Sequence, residues 1–174
     1  MPNFFIFDEN VCGKQKIKKL INVEILMRNR EVNGGVNLKN SITSFSKKVF
    51  LPLNYRPFLR INTKGVHISL YYDRMQSKIP KNTIKTVSAH NIKEVVRAMD
   101  LKADFIFISP VFSTKSHPNQ KPIGALMLFK ILNFVKYNNF ILLGGMDEKR
   151  LKLLKKLDYN NKIKGFAGIR FNLK

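Results

Sequence analysis

Eight short apolar runs, rich in β-branched and aromatic residues, recur along the chain: Phe4–Phe7, Val23–Met27, Val49–Leu53, Gly65–Leu70, Thr86–Ser88, Phe105–Ser109, Phe140–Leu143 and Gly165–Ile169. Segments of helical period separate several of them, and that alternation predicts βαβ units around a parallel sheet. Phe105-Ile106-Phe107-Ile108 is apolar at every position, as a strand covered on both faces requires. Asn91–Leu101 sets Ile92, Val95, Val96 and Met99 on one helical face, with Lys93, Glu94 and Arg97 opposite. Ile123–Val135 is a second helix, led by Pro122 as an early helical residue. Asp147–Leu157 is a third, with Asp147 as N-cap and Leu151, Leu154 and Leu157 as its buried stripe. The first half is thinner: Lys14–Ile21 reads as a helix, Pro57–Thr63 spans barely two turns, and Asn33-Gly34-Gly35 reads as a loop.

Eight strands with helices between them predict an α/β chain folded as a compact (β/α)8 TIM barrel, a fold that typically takes about 250 residues. With 174 residues, closure requires minimal loops and shortened or missing helices in the N-terminal half, chiefly within residues 30–64. No repeat or linker divides the sequence, so residues 1–174 are expected to form a single domain.

Composition narrows the picture. Apolar residues make up 44% of the chain, with 14 Phe, which excludes a disordered protein. The longest apolar runs are too short to span a bilayer, and Met1–Phe7 lacks the basic-then-apolar order of a secretory signal. The single cysteine, Cys12, forms no internal disulfide, and no Cys/His spacing suggests zinc. A cytoplasmic location is therefore expected, with no membrane partner. The net charge of +21 points to phosphate-bearing partners, nucleic acid among them. Yet the charges are scattered, lysine outnumbers arginine 24 to 8, and no basic stretch interleaves with stacking aromatics. Lysine and asparagine drift across the surface explains that distribution better than a nucleic-acid partner does.

Four motifs, in order, carry a more specific signal. They are Gly65-Val66-His67-Ile68, then Val87-Ser88-Ala89-His90, then Ala103-Asp104-Phe105-Ile106 running on to Ser109–Thr114, and finally Leu143-Gly144-Gly145-Met146. Together they resemble the fourth- to seventh-strand signatures of the thiamine-phosphate synthase and thiazole tautomerase family. The resemblance covers residues 64–170; residues 1–60 match more loosely. It implies a transferase that joins a pyrimidine methyl diphosphate to a thiazole phosphate and releases pyrophosphate. Small phosphorylated thiamine precursors would then be the ligands, with Mg²⁺ as the cofactor.

What the resemblance implies residue by residue is mixed. Arg28 and Arg30 stand where the family holds pyrophosphate, and a guanidinium suits that role; on charge alone they read as two solvated cations. Asn54 matches a family asparagine, but Tyr55 replaces a Mg²⁺-binding aspartate. Asp73, one residue late after the fourth strand, is the metal candidate, and a surface carboxylate is its plainer reading. Ser88 matches a serine near the pyrophosphate. Thr114 and Ser116 match two hydroxyl residues of the sixth loop; His117 replaces a lysine there, and Lys115 offers a displaced cation. Gly144 and Gly145, with the eighth-strand end, would bind the thiazole phosphate through backbone N–H groups. Pro110 stands where the tautomerase branch has a histidine, which favours the synthase reading.

His67 is expected to point into the barrel as a satisfied core histidine, and His90 to lie at a strand end or cap the next helix. Neither has an evident Ser or Cys nucleophile partner in the sequence, so no hydrolase triad is expected. Three functional classes follow: a working synthase, a divergent member that binds a phosphorylated ligand without coupling, and a basic nucleic-acid-binding module whose affinity would fall steeply with salt.

Overall fold

The computed structural model describes residues 4–8, 23–28, 48–54, 63–71, 79–114 and 118–168. Within them eight strands run in chain order: β1 (Phe4–Asp8), β2 (Glu24–Arg28), β3 (Val49–Pro52), β4 (Gly65–Ile68), β5 (Ile84–Ala89), β6 (Phe105–Ile108), β7 (Phe140–Leu143) and β8 (Ile163–Gly168). Each pairs in parallel with the next, and β8 returns to β1 through Phe4↔Ala167 and Phe5↔Gly168. The sheet is therefore a closed eight-stranded barrel, as the apolar runs predict. Helices α1 (Ile92–Asp100), α2 (Gly124–Phe134) and α3 (Glu148–Lys156) follow β5, β6 and β7. The predicted helix Lys14–Ile21, the loop Asn33–Gly35 and almost all of Pro57–Thr63 lie outside the described residues.

Alternation along each strand builds two layers of core. Phe5, Ile25, Val49, Val66, Val87 and Ile106 face outward into a cluster shared with Val95, Leu128, Ile131, Leu151 and Leu154 of the helices. Phe4, Ile6, Leu26, Phe50, Phe107, Ile141 and Ala167 fill the barrel interior. Phe4 is the hub of that interior, with the rings of Phe50, Phe105 and Phe107 at 5.6, 5.8 and 4.9 Å in tilted or edge-on contact. Gly65 makes room for this packing. A Cβ there would stand 2.7 Å from Phe50 and 2.3 Å from the Ile84 carbonyl, so the glycine that opens the β4 motif is a packing requirement.

The helix ends follow from short polar residues. The Asn91 side chain accepts from the Glu94 N–H at 3.0 Å and Asp147 from the Arg150 N–H at 2.7 Å, so both helices begin at true N-caps. Helix α2 differs from expectation: Ile123 is its N-cap residue with no side-chain bond, which leaves Pro122 outside the helix. Two predicted core positions are corrected. Val96 is 41% exposed because Ala98, about one turn on from Val95, shares the inner position with it. Leu157 is 54% exposed because it caps α3 instead of extending its stripe.

One stabilising group has no periodic signal in the sequence. Lys162, at the entrance to β8, is buried, and its ammonium donates to the carbonyls of Leu132 and, at 2.6 Å, Val135, in and just after the last turn of α2. Those carbonyls have no intrahelical partner, and the cation also faces the negative end of the helix dipole. Lys162→Met should lower stability by about 2 kcal/mol, since charged hydrogen bonds are lost and acceptors are left buried. Thermal melting against Lys130→Met on the exposed face of α2, expected to change little, checks this. Among the described residues no helix is long and apolar enough to cross a membrane.

Candidate active site

The C-terminal ends of parallel strands point their last residues and loops at one rim, where the described candidates gather. Ser88 is the penultimate residue of β5. Val87 and Ala89 beside it face the outer core, so strand alternation turns Thr86 and Ser88 into the barrel. The β4–β5 register sets His67 opposite Thr86. The His67 ring then lies between two hydroxyls, with Nδ1 2.9 Å from Thr86 Oγ1 and Nε2 3.0 Å from Ser88 Oγ. Phe107 stands edge-on to the same ring at 5.7 Å. His67 does point inward, as expected. The expectation that it lacks a serine partner is corrected: Ser88, 21 residues away, is brought to it by strand register.

On the next strands, the loop after β6 is laced to the end of β7. Val111 N–H donates to the Leu143 carbonyl at 2.8 Å and Phe112 N–H to the Gly144 carbonyl at 3.0 Å. Gly144 and Gly145 have φ of +88° and +61°, the left-handed region that side chains avoid. Space forbids a side chain as well. A Cβ at Gly144 would fall 2.6 Å from Pro110 Cβ, and one at Gly145 2.6 Å from the Ser113 carbonyl oxygen. The glycine pair thus lets the two loops touch, and Thr114, the next residue, is carried to the same rim half-buried. Arg150 fastens this corner from α3: its guanidinium lies 4.9 Å over the Phe112 ring and donates to the Gly145 carbonyl.

His90 closes the β5–β6 side of the rim. Its Nδ1–H donates to the Ser109 carbonyl at 2.6 Å, and its backbone N–H donates to Glu94 at 2.8 Å. Asn91, not His90, supplies the side-chain cap of α1. Across the mouth, Asn54 is half-buried just beyond β3, beside Leu53, whose N–H donates to the His67 carbonyl at 2.9 Å. Arg28 is the last residue of β2, so its backbone reaches the same end of the barrel, level with Asp8 of β1. Arg30, Tyr55, Asp73, Lys115, Ser116 and His117 lie outside the described residues. Among the described residues, no group of three His, Cys, Asp or Glu side chains forms a cation site.

Comparison with known proteins bears on this arrangement. The family model described as thiamine monophosphate synthase matches residues 47–170, well over half of the chain. The chain belongs to that family. A thiamine-phosphate synthase of Hydrogenobaculum sp. is 33% identical over 125 residues, covering 69% of this chain and 56% of that protein. One from Fusobacterium nucleatum is 25% identical over 153 residues, covering 86% and 66%. The chain thus spans between 56% and 66% of the length of these two relatives. A solved thiamine phosphate pyrophosphorylase from Pyrococcus furiosus superposes with a TM-score of 0.71 at 19% identity, covering 97% of this chain and 85% of that one. At that identity the likeness concerns the fold, and it is the closed barrel described above. In this family member the rim carries Ser88 near the end of β5, Thr114 in the loop after β6, and the glycine corner directly after β7.

Proposed function

We propose that the chain, as one barrel domain in the cytoplasm, couples a pyrimidine methyl diphosphate to a thiazole phosphate and releases pyrophosphate. The observation that carries this reading is the family match together with the grouping of Ser88, Thr114 and the Gly144–Gly145 corner at one rim. In the reaction the C–O bond between the pyrimidine methylene and the diphosphate breaks, and its electron pair stays with the pyrophosphate. The thiazole nitrogen lone pair forms the new C–N bond, leaving a thiazolium cation, and no proton has to move. The developing problem is negative charge on the leaving group, so catalysis consists of donors aimed at it.

Arg28, Arg30 and Lys115 supply the cationic donors, and Ser88, Thr114 and Ser116 the hydroxyls. Asn54 and, by its position in the sixth-loop motif, His117 would add further polar contacts. Gly144 and Gly145 admit the thiazole phosphate close to backbone N–H groups ahead of α3, where the helix dipole favours an anion. Mg²⁺ neutralises phosphate charge when bound. Among the described residues no three His, Cys, Asp or Glu side chains group together; by motif position Asp73 would hold the ion with phosphate oxygens, an arrangement Mg²⁺ accepts.

The test is turnover. Purified protein with both precursors and Mg²⁺ should form thiamine phosphate and pyrophosphate in equal amounts. Tyr55 and His117, which replace a carboxylate and a cation, favour the second reading of a binding protein without coupling. Calorimetric binding of either precursor without product, beside a working synthase as control, would establish that second reading and end the first.

A further inference from the structure

We propose that Arg150 is a positioning residue for the phosphate of the thiazole substrate, holding the glycine corner in the form that receives it. This role rests on the coupling reading above and deepens it at one subsite.

Two adjacent glycines at positive φ make a turn with little of its own to hold it, since glycine visits many backbone conformations at low cost. The corner is held from outside instead, at three successive carbonyls. Val111 N–H donates to the Leu143 carbonyl at 2.8 Å and Phe112 N–H to the Gly144 carbonyl at 3.0 Å. The Gly145 carbonyl accepts from the Arg150 guanidinium. In a planar trans peptide the C=O and N–H point opposite ways, so the side on which Arg150 holds that carbonyl fixes the direction of the Met146 N–H. The same guanidinium lies 4.9 Å over the ring of Phe112, whose own N–H holds Gly144. One side chain thereby ties the turn between β7 and α3 to the loop after β6.

The position of this arginine runs against local preference. It stands in the first turn of α3, just after the N-cap Asp147, where the helix presents its positive end and a cation is disfavoured. A glutamate or glutamine there would close a capping box. Asp147 steadies the arginine instead, accepting from the Arg150 N–H at 2.7 Å, with Nε of the guanidinium 3.9 Å from its other oxygen. A local rule broken beside a corner already shaped by two glycines is the mark of a functional demand. Affinity scales with the fraction of protein in the form that binds. Loss of the clamp lowers that fraction for the corner, so a phosphate seated there is weakened while an anion elsewhere on the rim is not.

The test is calorimetric titration of the full chain with thiazole phosphate and, separately, with inorganic pyrophosphate, in about 0.15 M salt so that general charge effects are screened. Arg150→Met should weaken thiazole phosphate about fivefold and leave pyrophosphate within about twofold of the parent. Arg150→Lys keeps the charge without the planar fork, and should recover only part of the loss. Phe112→Leu should weaken the same ligand, and the double variant should lose less than the two single losses combined, because both act through one clamp. Equal losses for both ligands, full recovery with lysine, or simple additivity overturns the inference. Should Arg150→Met fail to fold, Phe112→Leu decides: a loss for thiazole phosphate alone supports the clamp, and a shared loss or none overturns it. A folded parent that binds pyrophosphate but no thiazole phosphate would overturn the coupling reading and this role together, a result distinct from any difference among variants.

Discussion

Gly144→Ala should melt well below the parent protein and lose most of its turnover. An alanine at φ +88° carries a backbone penalty of roughly 1–2 kcal/mol. Its Cβ would also lie 2.6 and 2.7 Å from Pro110 Cβ and Cα, so the loop after β6 must move. That movement breaks the Val111–Leu143 and Phe112–Gly144 hydrogen bonds, at about 1 kcal/mol each. The sum is about 3–4 kcal/mol, a large part of the stability of a domain this size. Activity should fall further than stability, because Thr114 and the glycine N–H groups are displaced together, and a shift of about 1 Å at a reacting centre costs on the order of a hundredfold. Calorimetric melting and kcat/KM on the same preparation check both parts. A variant with parental activity would show that the glycine corner does not shape the site.

Ser88→Ala should behave in the opposite way, with a large kinetic loss and a small thermal one. The side chain stands at the mouth, and removing one donor to a developing anion typically lowers kcat by about 10²–10³. The folded protein loses one hydrogen bond, to His67 Nε2, worth about 1 kcal/mol. Single-turnover rates with saturating substrates isolate the chemical step. A loss confined to KM would assign Ser88 to ground-state binding instead.

The barrel was legible because parallel strands are buried on both faces, which writes eight apolar runs into the chain. Asp147 was legible as an N-cap because a short acidic side chain before a periodic run has few other uses. Strand starts were less so: Ile84 and Ile163 begin β5 and β8, but Lys85, Lys162 and Lys164 interrupt the apolar pattern. Lys162 in particular reads as a surface residue, and its burial depends on where α2 ends in space. Exposure of Val96 and Leu157 likewise depends on how α1 and α3 lie on the sheet, which helical period alone does not fix.

Within the site, Ser88, Thr114 and the glycine pair could be named from motif order, since each sits near a strand's C-terminal end or in the loop that follows it. The contact between His67 and Ser88 could not. It joins neighbouring strands, and only the pairing of His67 with Thr86 decides which hydroxyl meets which nitrogen. The reason for the glycines was equally hidden, because Pro110 and Ser113, which exclude a side chain there, lie more than thirty positions earlier in the chain.

The kinetic expectations all depend on phosphate chemistry at the C-terminal rim. A crystal structure grown with pyrophosphate, thiazole phosphate and Mg²⁺ tests it most directly. Pyrophosphate is expected within hydrogen-bonding distance of Ser88 and Thr114, and the thiazole phosphate against the backbone of Gly144 and Gly145. Both anions bound instead among the outer lysines, or at the Glu24–Lys64 end of the barrel, would contradict it.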